Sequence, residues 1–150
     1  MKSKSKKEIE FGINPTLKID TNSIFDVSYE IDDDKIVLSF DKLTTKINRD
    51  FFIDNFEILT EPHTHQSEKT NYYPIDKLMY ITEFGNIYIV SSKYLEILEK
   101  EKEDAVINEE YDLAGNLKEK ISKIESRMNE WYYLGKDGER VYAETLYKVK

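Results

Sequence analysis

The chain lacks cysteine and has only three arginines and five glycines among its 150 residues. Without cysteine it has no disulfide framework, no thiolate nucleophile and no cysteine-type zinc site. The few glycines leave little material for phosphate-cradling loops, and none of the P-loop, dinucleotide-binding or nucleophile-elbow motifs occurs. No apolar run reaches the roughly 18 residues that a membrane helix needs. We therefore expect a soluble, cytoplasmic protein that does not contact a membrane.

Charge is abundant and mostly negative, with 30 acidic against 22 basic side chains and a formal net charge of −8. Residues 1–8 hold four lysines and one glutamate, so we expect a flexible basic tail followed by a single domain, residues 9–150, that carries −11. A body this negative repels phosphate backbones, and three arginines supply few bidentate phosphate clamps. The composition disfavours direct binding to nucleic acid and favours a basic protein partner.

Apolar periodicity predicts an antiparallel hairpin in the first half of the chain. Apolar residues alternate with polar ones over residues 25–31, the acidic turn Asp32, Asp33 and Asp34 follows, and residues 35–40 return as a second strand. Residues 47–59 fit helix and strand equally well. The apolar pattern disappears over residues 60–74, which indicates a long polar loop that includes Tyr72 and Tyr73.

The second half predicts two helices. Residues 77–82 and 87–91 suit a hairpin that turns at Gly85-Asn86, and Ser92 is a candidate N-cap for a helix over about 92–103. A short strand is expected at residues 105–107. Apolar residues spaced by three and four predict a second helix over about 116–130, with Asn116 as its cap. We therefore predict a single α+β domain with a mostly antiparallel sheet and two main helices.

The segment over residues 61–68 contains both histidines of the chain. His63 and His65 are two residues apart, so they project to the same side of an extended segment, and Glu61 and Glu68 flank them. A hydrolytic metal site needs a further ligand and an open coordination position. Nothing in the sequence identifies that ligand, so we assign no metal, no cofactor and no catalytic residue. A metal-dependent hydrolase that uses this loop remains the alternative function.

The sequence WYYLGKDG, residues 131–138, resembles one copy of the choline-binding repeat of bacterial surface proteins. In that family an aromatic cage between neighbouring repeats holds a quaternary ammonium group. No second copy occurs in this chain, and a repeat of this kind does not bury its face alone. We therefore expect an aromatic hairpin that packs on the second helix.

Acidic residues are concentrated over residues 96–112, which carry a net charge of −6 in 17 residues. Carboxylates at helix ends and turns stay solvated and ionised, so they favour binding over acid–base catalysis. Tyrosine often contributes strongly to binding at protein interfaces, so Tyr111, the tyrosine of this segment, is also a candidate partner-binding residue. The predicted partner-binding residues are Asp32, Asp33, Asp34, Glu99, Glu101, Glu103, Asp104, Glu109, Glu110, Tyr111 and Asp112.

These features predict a non-catalytic protein that inhibits a basic, nucleic-acid-handling protein by covering its surface. Two settings fit: an immunity protein against a toxin nuclease, and a phage-borne inhibitor of a host defence enzyme, of the anti-CRISPR type. The segment over residues 87–100 is similar to segments of toxin-immunity proteins. A phage structural or assembly protein is a further alternative. The sequence leaves the oligomeric state open.

Overall fold

A computed structural model describes residues 1–149 except 12–16, 20, 41–42 and 66–67. Of residues 10, 11 and 17–19 it describes the backbone alone. The chain divides into two compact units. Unit 1 comprises Met1–His63 and Asn71–Ile87, and unit 2 comprises Thr64–Thr70 and Tyr88–Lys150.

The described part of the chain forms three helices and fourteen strands. The helices are α1 (Arg49–Asn55), α2 (Ser91–Ile107) and α3 (Tyr111–Glu125). The strands are β1 (Lys2–Ser5), β2 (Ile9–Phe11), β3 (Leu17–Ile19), β4 (Ile24–Glu30), β5 (Lys35–Phe40), β6 (Leu43–Ile47), β7 (Phe56–Ile58), β8 (His63–His65), β9 (Thr70–Pro74), β10 (Met79–Thr82), β11 (Ile87–Val90), β12 (Trp131–Leu134), β13 (Arg140–Ala143) and β14 (Leu146–Lys148). The strands pair antiparallel, which confirms the predicted α+β class. No helix in the described residues is long and apolar enough to cross a membrane.

Unit 1 is built on a five-stranded sheet with the order β6-β5-β4-β1-β7. The predicted hairpin is confirmed as β4 and β5, and the inward residues of β4 are buried while their neighbours are exposed. Phe25 from β4 meets Phe56 edge to face at 5.8 Å between ring centroids. Phe52 of α1 stacks on Phe56 at 5.5 Å and is fully buried. Aromatic packing therefore fixes α1 against the sheet.

Strand β1 overturns the prediction of a flexible tail over residues 1–8. It lies between β4 and β7, with Ser3 opposite Phe25 on one side and Ile58 on the other. Ser3 and Ser5 are fully buried, whereas the lysines that alternate with them point outward. The segment does have the period of two that marks a strand, but serine occupies the inward positions in place of an apolar residue.

The outward lysines of β1 neutralise carboxylates on the neighbouring strands. Lys2 forms an ion pair with Asp26, its cross-strand partner, and Lys4 pairs with Glu57 at 3.2 Å. Opposite charges placed directly across a sheet stabilise the pairing. The basic residues are thus part of the fold, and treating the body as a separate unit of charge −11 was wrong.

The described part of residues 60–74 contains more regular structure than the sequence predicts. It contains β8 and β9, and β9 pairs with β10 so that Tyr72 lies opposite Thr82. Tyr72 is buried, which contradicts its expected place in an exposed loop. After β10 the predicted turn forms, with Gly85 at a φ of 83° that favours glycine.

Unit 2 contains the two long helices, and both differ from the prediction at their ends. Helix α2 continues through residues 105–107, where a strand was expected, because Ala105 packs in the core between the helices. Helix α3 begins at Tyr111, five residues before the predicted cap Asn116, and ends at Glu125. Their shared core consists of Leu98, Ala105, Ala114, Leu117, Ile121 and Ile124.

The start of α2 is capped by a residue that is distant in sequence. The helix begins at Ser91, and the carboxylate of Glu144 accepts hydrogen bonds from the Ser92 amide at 2.9 Å and the Ser91 hydroxyl at 3.3 Å. A carboxylate at a helix N-terminus satisfies free amides and complements the helix dipole. Ser92 therefore donates to a cap and is not the cap itself.

Replacing Ser3 with aspartate tests whether β1 is a true core strand. Ser3→Asp places a charge where no water reaches, so we expect the free energy of unfolding to fall by at least about 2 kcal/mol. Chemical denaturation measures this change. The control Lys7→Ser alters the net charge by the same amount at an exposed side chain and is expected to cost little. Equal small effects of both substitutions would show that residues 1–8 are dispensable for the fold.

Candidate protein-binding site

Helices α2 and α3 are joined by a tight turn that requires a left-handed residue. Glu109 occupies this position with a φ of 59°. Its amide donates to the carbonyl of Val106 at 3.1 Å, and the amide of Glu110 donates to that of Ala105 at 2.8 Å. This pair of bonds is the Schellman motif, which usually has glycine at the left-handed position. A glutamate in this conformation is strained, and its side chain is exposed.

Large apolar side chains are exposed on both sides of this turn. Ile107 is 76% exposed and Tyr111 is 66% exposed, although both belong to helices that bury other residues. Val106 and Leu113 are also exposed. Water contact with several apolar side chains in one short stretch costs free energy and marks an interaction surface when the patch has a polar rim.

Carboxylates alternate with these apolar residues along the chain and have no cationic partner within the described part of the chain. They are exposed and belong to Glu103, Asp104, Glu109, Glu110 and Asp112. We call the apolar and acidic residues between 103 and 113 the tip surface. Of the other predicted residues on α2, Glu101 is exposed, whereas Glu99 is half-buried and pairs with Lys102 at 3.2 Å. The tip surface thus combines unneutralised negative charge with apolar anchors.

The acidic turn at residues 32–34 belongs to unit 1 and is largely neutralised from within. Arg49 binds Asp34 through two nitrogens at 2.9 and 3.2 Å, and Lys46 lies 3.2 Å from Asp33. The hydroxyl of Tyr29 donates to Asp34 at 2.6 Å. Asp33 and Asp34 therefore hold the β4–β5 turn together, and only the exposed Asp32 has no such partner among the described residues.

This network changes the protonation of its members. The hydrogen bond from Tyr29, followed by that from Arg49, holds the pKa of the Asp34 carboxyl below its ordinary value. Burial, followed by the hydrogen bond to Asp34, raises the pKa of the Tyr29 phenol. Arg49 also donates to the carbonyl of Gly85 at 3.2 Å, so the network links the turn to the loop after β10. Its role is structural.

The two histidines contact aromatic rings, each within its own unit. His63 lies 5.5 Å from the ring of Tyr80, and burial lowers the pKa of its imidazole. His65 lies 4.9 Å from Tyr132 and 5.7 Å from Trp131. Among the residues that the structure describes, no group of three side chains is placed to hold a metal ion. Residues 66 and 67 of the predicted metal loop lie outside the described residues.

Sequence reasoning predicted the acidic residues of the tip surface and Tyr111 but missed its other apolar side chains. Glu103, Asp104, Glu109, Glu110, Tyr111 and Asp112 lie between residues 103 and 113, as the acidic run indicated. Val106 and Ile107 were assigned to a short strand, which hid their exposure. The available signal was the lack of an apolar stripe on the helix beyond Leu98, which left no internal partner for these side chains.

Comparison of the chain with protein-family models finds no match, and comparisons with curated proteins and with solved structures find none either.

The strained turn yields a stability prediction. Glu109→Gly relieves the left-handed strain, so we expect the free energy of unfolding to rise by about 0.5–1 kcal/mol. Thermal or chemical denaturation measures it. Glu110→Gly is the matched control because it removes the same charge at a residue with a φ of −88°, where glycine gives no relief. If both variants were equally stabilised, loss of charge repulsion and not backbone strain would be the cause.

The Asp34 network yields a pH prediction. Because the folded-state pKa of Asp34 is lowered, its carboxylate stabilises the fold above about pH 4, and this contribution is lost as the pH falls through the lowered value. We expect Asp34→Asn to be less stable than the wild type near neutral pH and to approach it in acid. Asp32→Asn removes a charge from the same turn without breaking these bonds. A constant difference between wild type and Asp34→Asn at all pH values would contradict the network's role.

Proposed function

We propose that the chain is a non-catalytic binding protein that inhibits a basic, nucleic-acid-handling protein by covering its cationic surface. The tip surface is the contact region. This role belongs in the cytoplasm, in either of two settings: immunity against a toxin nuclease, or phage-borne inhibition of a host defence enzyme.

The observation that supports the proposal is the combination, at the tip surface, of exposed apolar side chains with carboxylates that have no cationic partner among the described residues. Burial of Ile107 and Tyr111 against a partner would supply affinity, because large side chains at the centre of an interface dominate binding energy. The surrounding carboxylates would accelerate encounter with a positive partner and reject negative ones. An entirely acidic surface without such anchors would favour solubility alone.

The charge of the tip surface also indicates the class of partner. A protein that handles nucleic acid presents lysine and arginine to phosphates, so its functional surface is cationic. Carboxylates placed on that surface compete with phosphate for the same side chains. Inhibition by occlusion needs no catalytic group, metal or cofactor on the inhibitor.

The test is affinity capture from the source organism, with wild-type and variant chains as bait. Glu103→Lys with Asp104→Lys reverses two charges at the tip surface. We expect the wild type to capture one basic, nucleic-acid-binding protein, to inhibit its activity on nucleic acid at a one-to-one ratio, and to associate at least about tenfold faster than the variant at low salt. Mass spectrometry, activity assays and association kinetics supply these measurements.

The matched control is Glu119→Lys with Glu125→Lys, which makes the same change in net charge at exposed positions of α3 outside the tip surface. The control is expected to associate nearly as fast as the wild type. Equal slowing of both variants would assign the effect to net charge and not to the tip surface. Capture of no basic protein, or of one whose activity is unaffected, would contradict the proposed function.

A further inference from the structure

Unit 2 contains a pocket of about 550 Å³ that is lined by cationic side chains, in contrast to the acidic tip surface. Its apolar and aromatic lining residues are Ile124 of α3, Tyr94 of α2 and Tyr147 of β14. Its other lining residues include the cationic side chains Lys120, Lys123 and Arg127. Pockets that bind small molecules have this size and combine apolar or aromatic lining residues with a few polar groups.

The aromatic side of the pocket consists of two tyrosines that contact each other. The rings of Tyr94 and Tyr147 lie 4.9 Å apart between centroids, tilted by 52°. Both are partly exposed, and burial raises the pKa of the Tyr147 phenol, so this side chain stays neutral at physiological pH. A flat ring bound against these side chains would bury apolar surface on both.

The cationic side is formed by two lysines of α3 and by an arginine that follows the helix. Lys120 and Lys123 are three positions apart, which places them on one face of α3, and Arg127, two residues after the helix ends, also lines the pocket. The ammonium of Lys120 lies 5.2 Å from the centre of the Tyr94 ring, a cation–π distance. None of the described residues that line the pocket is acidic, and within the described residues none of the three cations forms an ion pair, although Glu130 is close enough to Tyr147 to contribute, after burial, to the raised pKa of its phenol. This concentration of positive charge is notable in a chain with a net charge of −8.

Complementation of the helix dipole explains only part of this arrangement. Cations in the last turn of a helix stabilise it, which accounts for Lys123. It does not account for Lys120, which lies earlier in the helix, or for the paired tyrosines that face the same pocket.

We propose that this pocket binds a small nucleoside phosphate. The base or sugar would lie against Tyr94 and Tyr147, and the phosphate would be held by Lys120, Lys123 and Arg127, since lysine and arginine are the standard phosphate ligands. A free mononucleotide fits better than a nucleic acid strand, because the rest of the chain repels a polyanion. This site is independent of the proposed inhibitory function.

The experiment is isothermal titration of the full chain at low salt with AMP, adenosine and inorganic phosphate in turn. We expect AMP to bind with a dissociation constant below about 1 mM. Adenosine can contact only the tyrosines and inorganic phosphate only the cations, so we expect each to bind at least about tenfold more weakly than AMP. Replacing Lys120, Lys123 and Arg127 together with glutamine, which retains helix propensity, is expected to weaken AMP binding at least about tenfold.

The control replaces Lys100, Lys118 and Lys136 with glutamine, which removes the same charge away from the pocket and is expected to retain AMP affinity within about threefold. No binding of AMP below about 1 mM, or equal affinity of both triple variants, would overturn the proposal. Tighter binding of a 5′-phosphorylated single strand than of AMP would overturn the free-nucleotide assignment. Light scattering that shows the pocket variant to lose self-association would instead identify a second copy as the occupant.

Discussion

The left-handed turn at Glu109 is the constraint on which the proposed binding site depends. It reverses the chain between α2 and α3 within a few residues, so that Ala105 and Ala114 pack in the shared core while the residues between them stay outside it. Ile107 and Tyr111 are exposed for this reason. The same turn brings the acidic residues that follow α2 next to these apolar side chains, which a longer connection would not do.

The net charge of −8 does not show how the charged side chains are distributed, because acidic and basic groups are concentrated in different places. In unit 1, Lys2 and Lys4 neutralise carboxylates across the sheet, and Arg49 and Lys46 neutralise the acidic turn after β4. In unit 2 the tip surface keeps its carboxylates unpaired in the described residues, whereas the pocket lined by Lys120, Lys123 and Arg127 concentrates positive charge. A chain that is acidic overall therefore has one surface that favours cationic partners and another that favours anionic ligands.

Much of the fold was predictable because periodicity in hydrophobicity marks most elements. The β4–β5 hairpin and the two long helices follow from that signal, and the turn at Gly85 follows from the Gly85-Asn86 pair, which suits a turn with positive φ. Strand β1 did not, because Ser3 and Ser5 occupy its inward positions and carry no hydrophobic signal. The start of α2 was misassigned because its cap, Glu144, is distant in sequence. At the site, the carboxylates were evident from the acidic run, but exposure of Ile107 depends on the turn geometry.

Hydrogen–deuterium exchange of the chain, free and bound to its captured partner, tests the central claim most directly. Backbone amides within an interface lose contact with water and exchange more slowly. If the tip surface is the contact region, partner binding will slow exchange most strongly over residues 103–113. Protection confined to other segments, with exchange over residues 103–113 unchanged, would contradict the account.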